Sequence, residues 1–192
     1  MGTDDELTQR WLSREDYQEA PTILWNEVYL ERGDAWRLNM LASGTSQGEV
    51  ERCVVHVGPD HQLDFYCGSQ NSEDVTIYLY EDPTLLTTGT ALTPRNLNRN
   101  AGDGGDDGAD IWHGATLTPG NEGTNLMEIY VPGDTRVFLG SGHVMPGGRW
   151  ILKPGGWYLF ALRNDGSNKA IMHGIAEWVV RDTYSSEAEE IR

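Results

Sequence analysis

The segment GWYLFALR, residues 156–163, decides how this 192-residue chain is expected to fold. Successive side chains of a β-strand point to opposite faces, and in this segment both faces are apolar or aromatic. One face carries Trp157, Leu159 and Ala161, and the other carries Tyr158, Phe160 and Leu162. DVTIYLYE, residues 74–81, has the same two-sided character. Such a strand in an antiparallel sandwich needs cover outside its own core, from an arm, a loop or another subunit, and we favour a subunit interface.

The rest of the chain divides into short strand candidates separated by turn signals such as Pro132-Gly133. The candidates are residues 23–30, 36–41, 49–57, 61–67, 74–81, 85–92, 111–117, 124–131, 136–140, 149–153, 156–163 and 170–180. This cadence predicts an all-β chain folded as an antiparallel sandwich or barrel, with an N-terminal extension. We predict an acidic arm over residues 1–22, a β-sandwich domain over 23–181 and an acidic tail over 182–192.

The chain is strongly acidic, with 30 acidic and 14 basic residues and a formal net charge of −16. Such an excess repels phosphate backbones, so we expect no nucleic-acid partner. The chain has no stretch approaching the roughly 20 apolar residues that span a bilayer, and no secretory leader pattern. We therefore expect no membrane association, and synthesis in a cytoplasm.

The two cysteines, Cys53 and Cys67, are expected to be reduced in that compartment. If residues 49–57 and 61–67 form a hairpin around Gly58-Pro59-Asp60, the two thiols lie on opposite faces of the pair. A one-residue bulge would align them, which leaves a disulfide as the alternative.

The sequence lacks a recognisable catalytic or metal-binding motif. The five histidines form no HxH, HxxxH or HExxH pattern, and none adjoins a cysteine at zinc spacing. GRWILKPGGWYL resembles the second cupin motif in its glycines and proline, but Leu159 stands at the metal-ligand position. The aspartate-rich loop 102–110 fits no calcium-loop spacing, and we interpret it as a flexible acidic loop, with an opportunistic calcium site as the alternative. We predict a protein that is not an enzyme and needs no cofactor or metal, and we keep a metal-dependent β-barrel enzyme as a minor alternative.

The seven tryptophans and eight tyrosines raise the option of carbohydrate binding. Most tryptophans lie inside strand patterns, where packing in the core is their commoner role. Trp112, next to the acidic loop, is the one that a glycan-binding surface could present.

TGTALTPRNLNRN, residues 88–100, is the least ordinary stretch of the chain. Thr88-Gly89-Thr90 can pass through a bulge or tight bend, and Pro94 ends a strand ladder by removing a donor. The asparagines that follow can satisfy neighbouring backbone groups without carrying charge. Arg95 and Arg99 would project into an otherwise negative surface.

This stretch and three later ones resemble a family of small virion proteins of tailed bacteriophages. The matching elements are TGTALTPRNLNRN, TLTPGNEGTNL, GGRWILKPGGWYLFALRN and a final IAEWVV strand, within about residues 86–180. The family shows a T-G-T-x-L-x-P start, an N-x-N-R-N run and a W-I-L-K-P-x-x-x-Y-L hairpin in the same order. This chain departs from the pattern in its long acidic N-terminal part and its aspartate-rich loop.

The resemblance implies an antiparallel β-sandwich that is jelly-roll-like. It also implies a capsid decoration, or cement, protein that sits as a homotrimer on the exterior of the phage head. Its partners would be the major capsid protein and further copies of itself. Residues expected at these interfaces are Trp11, Tyr17, Arg95, Asn96, Asn98, Arg99, Tyr158 and Phe160. The alternative is a tail or fibre module of the virion that binds a host-surface glycan.

Overall fold

The computed structural model describes residues 33–98, 100, 107–118, 120–133, 136–137 and 150–182, which form fourteen β-strands and no helix. The strands are β1 (Ala35–Thr45), β2 (Val50–Val57), β3 (His61–Asn71), β4 (Val75–Glu81), β5 (Leu85–Thr87), β6 (Thr90–Leu92), β7 (Arg95–Asn96), β8 (Ala109–His113), β9 (Thr116–Leu117), β10 (Thr124–Val131), β11 (Arg136–Val137), β12 (Trp150–Leu152), β13 (Trp157–Asn164) and β14 (Ala170–Asp182). The predicted arm 1–22, the strand candidate 23–30 and the tail beyond residue 182 lie outside the described residues.

Two six-stranded antiparallel sheets account for most of these strands. Sheet A has the order β11-β3-β14-β1-β7, with β12 also paired to β3, and sheet B has the order β10-β4-β13-β2-β8-β6. β5 and β9 form a separate two-stranded sheet, which we call the flap. The longest ladder joins β14 to β3 from Met172↔Asn71 to Asp182↔His61.

The strand order is that of a jelly roll. The pairs β1–β14 and β2–β13 join the beginning of the described chain to its end, and β3–β12 and β4–β10 nest between them. The four strands β1 to β4 alternate between sheet A and sheet B, so the chain wraps around the core like a rolled hairpin. The predicted antiparallel, jelly-roll-like β-sandwich is confirmed.

Most strand candidates match observed strands, with two instructive differences. Candidate 85–92 divides into β5 and β6, and candidate 111–117 divides into β8 and β9. Both divisions fall beside glycines in the left-handed region, Gly89 with φ 93° and Gly114 with φ 78°. The breaks let each segment contribute one strand to sheet B and one to the flap.

The hairpin considered between residues 49–57 and 61–67 does not form. β2 lies in sheet B and β3 in sheet A, so the turn at Gly58-Pro59-Asp60 is an arch between the sheets. Each strand finds its partners far along the chain, because only distant strands supply apolar faces that complete the two layers.

The main core lies between the two sheets. Its largest fully buried side chains include Trp36 and Trp178 from sheet A and Tyr158, Leu79 and Leu162 from sheet B. Phe65 and Trp178 stack with ring centroids 6.5 Å apart. The indole N–H of Trp178 donates to the carbonyl of Asp107 at 2.8 Å, which fastens the end of the aspartate-rich loop to sheet A.

The stretch 88–100 carries the chain from one sheet to the other. β6 pairs with β8 at the edge of sheet B, and β7 pairs with β1 at the edge of sheet A. Between them Pro94 is buried. The asparagines act as predicted: Asn96 Oδ1 accepts from the Asn98 N–H at 2.8 Å, and Asn98 Oδ1 accepts from the Asn100 N–H at 3.0 Å. Asn96 is itself buried, and its side-chain amide donates to the carbonyl of Gly33.

Both cysteines are buried and free in the inter-sheet core. Burial raises the pKa of the Cys53 and Cys67 thiols to about 12, which holds them in the unreactive neutral form. We expect dithionitrobenzoate at mildly alkaline pH to leave the native protein unmodified and to titrate both thiols once denaturant is added. Reaction of the native chain at the rate of a small free thiol would contradict this burial.

The variant Gly89→Ala tests the close backbone approach at the start of the stretch 88–100. A Cβ at Gly89 would lie 2.2 Å from the carbonyl oxygen of His113, whereas a Cβ at Gly114, also at positive φ, meets nothing within 4 Å. We expect Gly114→Ala to lower the free energy of unfolding by about 1–2 kcal/mol from backbone strain alone. Gly89→Ala should lower it by about 1–3 kcal/mol more, because of the clash. Denaturant unfolding measures both, and equal losses would refute the close approach.

Candidate functional site

The outer face of sheet B, directed away from the inter-sheet core, holds a second apolar cluster. Its buried members are Val54, Tyr78, Ala115, Leu159 and Ala161. Leu85 and Leu117 of the flap pack against this cluster, together with Trp112 and Trp157. Part of the cover required by the two-sided strand β13 is therefore a loop of the same chain. A subunit interface over the rest of this face stays a prediction.

A backbone hydrogen bond joins the start of the β9 segment to sheet B, and another extends the ladder of the flap itself. The Gly114 N–H donates to the Arg52 carbonyl of β2 at 2.9 Å, and the Thr118 N–H donates to the Thr84 carbonyl at the end of the flap at 3.1 Å. Within the flap the hydroxyls of Thr87 and Thr116 are 2.8 Å apart. These bonds make the flap a fixed layer over one part of the outer face.

Beside the flap, sheet B forms an open cleft with a volume of about 340 Å³. Its lining residues are Val50, Arg52, Tyr78, Tyr80, Glu122, Glu128, Leu159, Ala161 and Arg163. The floor lies over β2 and β13, where Val50 is half-buried and Leu159 and Ala161 are buried. Glu128 comes from β10, and Glu122 comes from the segment before it. The size lies at the lower end of the roughly 300–1,000 Å³ of small-molecule sites.

A stack of three planar groups runs along the cleft. The Arg163 guanidinium carbon lies 5.2 Å from the centroid of the Tyr78 ring, and the Tyr78 and Tyr80 rings are 5.6 Å apart at 17°. Arg163 Nε donates to Asp165 Oδ1 at 2.7 Å, and this bond raises the pKa of Arg163. Burial raises the pKa of both tyrosines, so their hydroxyls stay neutral and can donate as well as accept.

Three charged groups of the cleft are available to a ligand. Arg52, Glu122 and Glu128 form no ion pair with any other residue of the described ranges. The negative charges of Glu122 and Glu128 add to the effect of burial and raise the pKa of Tyr80 further. The cleft thus combines an apolar and aromatic floor with donors and acceptors at its rim.

Trp112, the aromatic residue expected to be presented, is half-buried and packed. Its ring stacks on Trp157 with centroids 5.7 Å apart, and Trp157 stacks on His56 at 4.2 Å. The polar and aromatic groups of the cleft lie elsewhere on the same face.

The sequence analysis missed these cleft residues because they belong to four strands that only the sheet brings together. They are Arg52, Tyr80, Glu128 and Arg163. The one signal in the sequence was the pattern of residues 74–81, which places apolar or aromatic side chains on both faces of the strand.

The predicted interface residues fall into three groups. Tyr158 and Phe160 are buried in the inter-sheet core, and Asn96 is buried on β7 beside β1, so none of the three lies on a contact surface of the folded chain. Their selection is wrong. Sheet A closes the inner face of β13, and the Asn96 amide bonds the Gly33 carbonyl of the same chain. Arg95 is exposed and Asn98 is half-buried, and for both an interface role stays a prediction. Trp11, Tyr17 and Arg99 lie outside the described residues.

The outer face of sheet A displays apolar side chains without a covering layer among the described residues. Leu41 on β1 is 68% exposed and Ile171 on β14 is 54% exposed. The register pairs Leu41 with His173, which places Ile171 and Ile175 at its two diagonal positions. We call Leu41, Ile171 and Ile175 the sheet A patch.

In the part of the chain that the structure describes, no three histidine, cysteine or acidic side chains are grouped to hold a metal ion. In the same ranges there is no helix of the length and apolarity needed to cross a membrane.

Tyr158→Phe tests the core position of that residue. The Tyr158 hydroxyl accepts from the Lys153 N–H at 2.9 Å and lies 3.2 Å from Glu81 Oε1, to which it donates. We expect its loss to lower the free energy of unfolding by about 1–2 kcal/mol, since it leaves the Lys153 N–H without this partner. Tyr130→Phe is the control: that hydroxyl bonds Asp74 at an exposed site, and we expect a change below about 0.5 kcal/mol. Equal midpoints in denaturant for wild type and Tyr158→Phe would contradict the assignment.

No protein-family model, curated protein or solved structure matches this chain. The resemblance of residues 86–180 to phage decoration proteins accordingly stays a prediction from the motifs themselves.

Proposed function

We propose that this chain is a non-enzymatic structural protein of a tailed-phage virion, which decorates the capsid exterior and stabilises the shell by binding the major capsid protein. It would be synthesised in the host cytoplasm and act as a homotrimer. The observation that carries the proposal is the ordered set of motifs between residues 86 and 180, together with exposed apolar side chains on the outer face of sheet A.

The motif residues have structural roles in the fold of this chain. Gly89 and Pro94 shape the crossing between the sheets, and Asn96 and Asn98 satisfy its backbone. WILKP forms β12 and the turn in which the Lys153 N–H bonds Tyr158. These residues have structural roles within one chain, so contacts with partners are expected from other residues.

The sheet A patch is the surface we assign to the capsid protein. Leu41 is a diagonal neighbour of both Ile171 and Ile175 across two paired strands, so the three form an apolar cluster around His173, which lies opposite Leu41. Exposed apolar groups that cluster in this way are typical of protein contacts. The patch carries no charge, and it can therefore be desolvated against a partner despite the acidity of the chain.

Homotrimer formation would use a different surface from the patch. A decoration protein needs one face for the shell and separate lateral contacts for its own copies, because a closed ring repeats one heterologous interface around its axis. The exposed Arg95 at the β7 edge of sheet A is a suitable lateral contact for a neighbour with a net charge of −16.

Co-sedimentation with undecorated capsids of the phage that encodes the chain tests the proposal. We expect wild-type protein to pellet with the capsids and Leu41→Ser to bind about tenfold more weakly, since burying a leucine contributes about 1.5–3 kcal/mol. Leu86→Ser is the matched control, because Leu86 is 65% exposed but lies on the flap over the opposite sheet. Wild-type protein left in the supernatant would refute the capsid role, and equal binding by Leu41→Ser would refute the patch.

The alternative placement, in a tail or fibre, is distinguished by location. Antibody-labelled protein viewed on intact particles should lie on the heads under the capsid proposal. Label confined to tails or fibres would replace it with the alternative.

A further inference from the structure

We propose that the cleft on the outer face of sheet B binds a neutral saccharide, through Tyr78 and Tyr80, Arg52 and Arg163, and Glu122 and Glu128. This inference goes beyond the capsid role and does not depend on it. The sheet A patch faces the opposite side of the sandwich, so the two surfaces can be occupied at once.

The half-buried apolar and aromatic groups of the cleft suit the C–H face of a sugar ring. Val50 and Tyr80 keep part of their side chains exposed in the cleft, whereas Leu159 and Ala161 are buried behind them. Tyr78 is held between Tyr80 and the Arg163 guanidinium, which fixes the aromatic groups before a ligand arrives. A rigid amphipathic surface loses little conformational entropy on binding.

The rim of the cleft suits hydroxyl groups. Each sugar hydroxyl is both a donor and an acceptor, so it needs acceptors and donors close together. Glu122 and Glu128 supply acceptors only, and Arg52 supplies a planar set of donors. These three groups form no ion pairs within the described residues. A ligand can therefore bind them without displacing an existing ion pair.

Charge selects a neutral ligand over an anionic one. The lining contains two guanidiniums and two carboxylates, so it carries no net formal charge. Asp165 is already bonded to Arg163 and offsets one of the two positive charges. The chain as a whole carries −16, which disfavours the approach of sialylated, sulfated or phosphorylated glycans.

The volume limits how much of a glycan enters the cleft. About 340 Å³ is small for an extended oligosaccharide and adequate for one or two sugar rings. The open side of the cleft allows the remainder of a chain to continue into solvent. We therefore expect the cleft to hold one or two sugar rings of a neutral glycan, at the end of its chain or within it.

Saturation-transfer NMR on the full-length protein tests the inference. The probes are the methyl pyranosides of glucose, galactose, mannose, N-acetylglucosamine and rhamnose at millimolar concentration, with sialyllactose as the anionic comparison. We expect transfer from irradiated tyrosine protons to the ring protons of at least one neutral probe. Arg52→Gln and Glu128→Gln should each weaken that binding by about tenfold, since each removes a hydrogen bond to a charged group.

Arg95→Gln is the matched control, because it removes an exposed guanidinium from the edge of the other sheet. This variant should bind the neutral probe as wild type does. No transfer to any neutral probe, binding of sialyllactose alone, or undiminished binding by both cleft variants would overturn the proposal. The cleft variants should still pellet with capsids, so a failure here is separable from a failure of the capsid role.

Discussion

The two-sided burial of β13 is the constraint on which the rest of the structure depends. Leu159 lies between Val54 and Tyr80 in the outer cluster, and the next residue, Phe160, points into the core between the sheets. A strand that presents apolar groups alternately to both sides needs two layers of cover. Sheet A supplies one layer, and the flap supplies part of the other from the same chain.

The long segment between β4 and β10 has three structural roles. It lays the flap over the outer face, adds β8 and β6 to sheet B, and crosses to sheet A through β7. Because the flap covers only part of sheet B, charged and aromatic groups remain beside it around an open floor. The same segment therefore completes the core and creates the cleft.

Strand positions were predictable, and their partners were not. Period-2 alternation is local, so the candidates at 124–131 and 156–163 coincide closely with β10 and β13. The turn at Gly58-Pro59-Asp60 permits either a hairpin or an arch, and the choice depends on the apolar faces of strands far away in the chain. For the same reason, the cleft residues had no shared signal in the sequence.

The sequence by itself determined the all-β class, the approximate positions of most described strands and the local role of the asparagines, because each depends on neighbouring residues and their backbone preferences. The tertiary structure decided which apolar faces stay exposed. Tyr158 and Phe160 looked available to another subunit but are enclosed, whereas Leu41 and Ile171 are left uncovered among the described residues. Burial is a property of long-range packing, so a single strand pattern shows which faces are apolar but not what covers them.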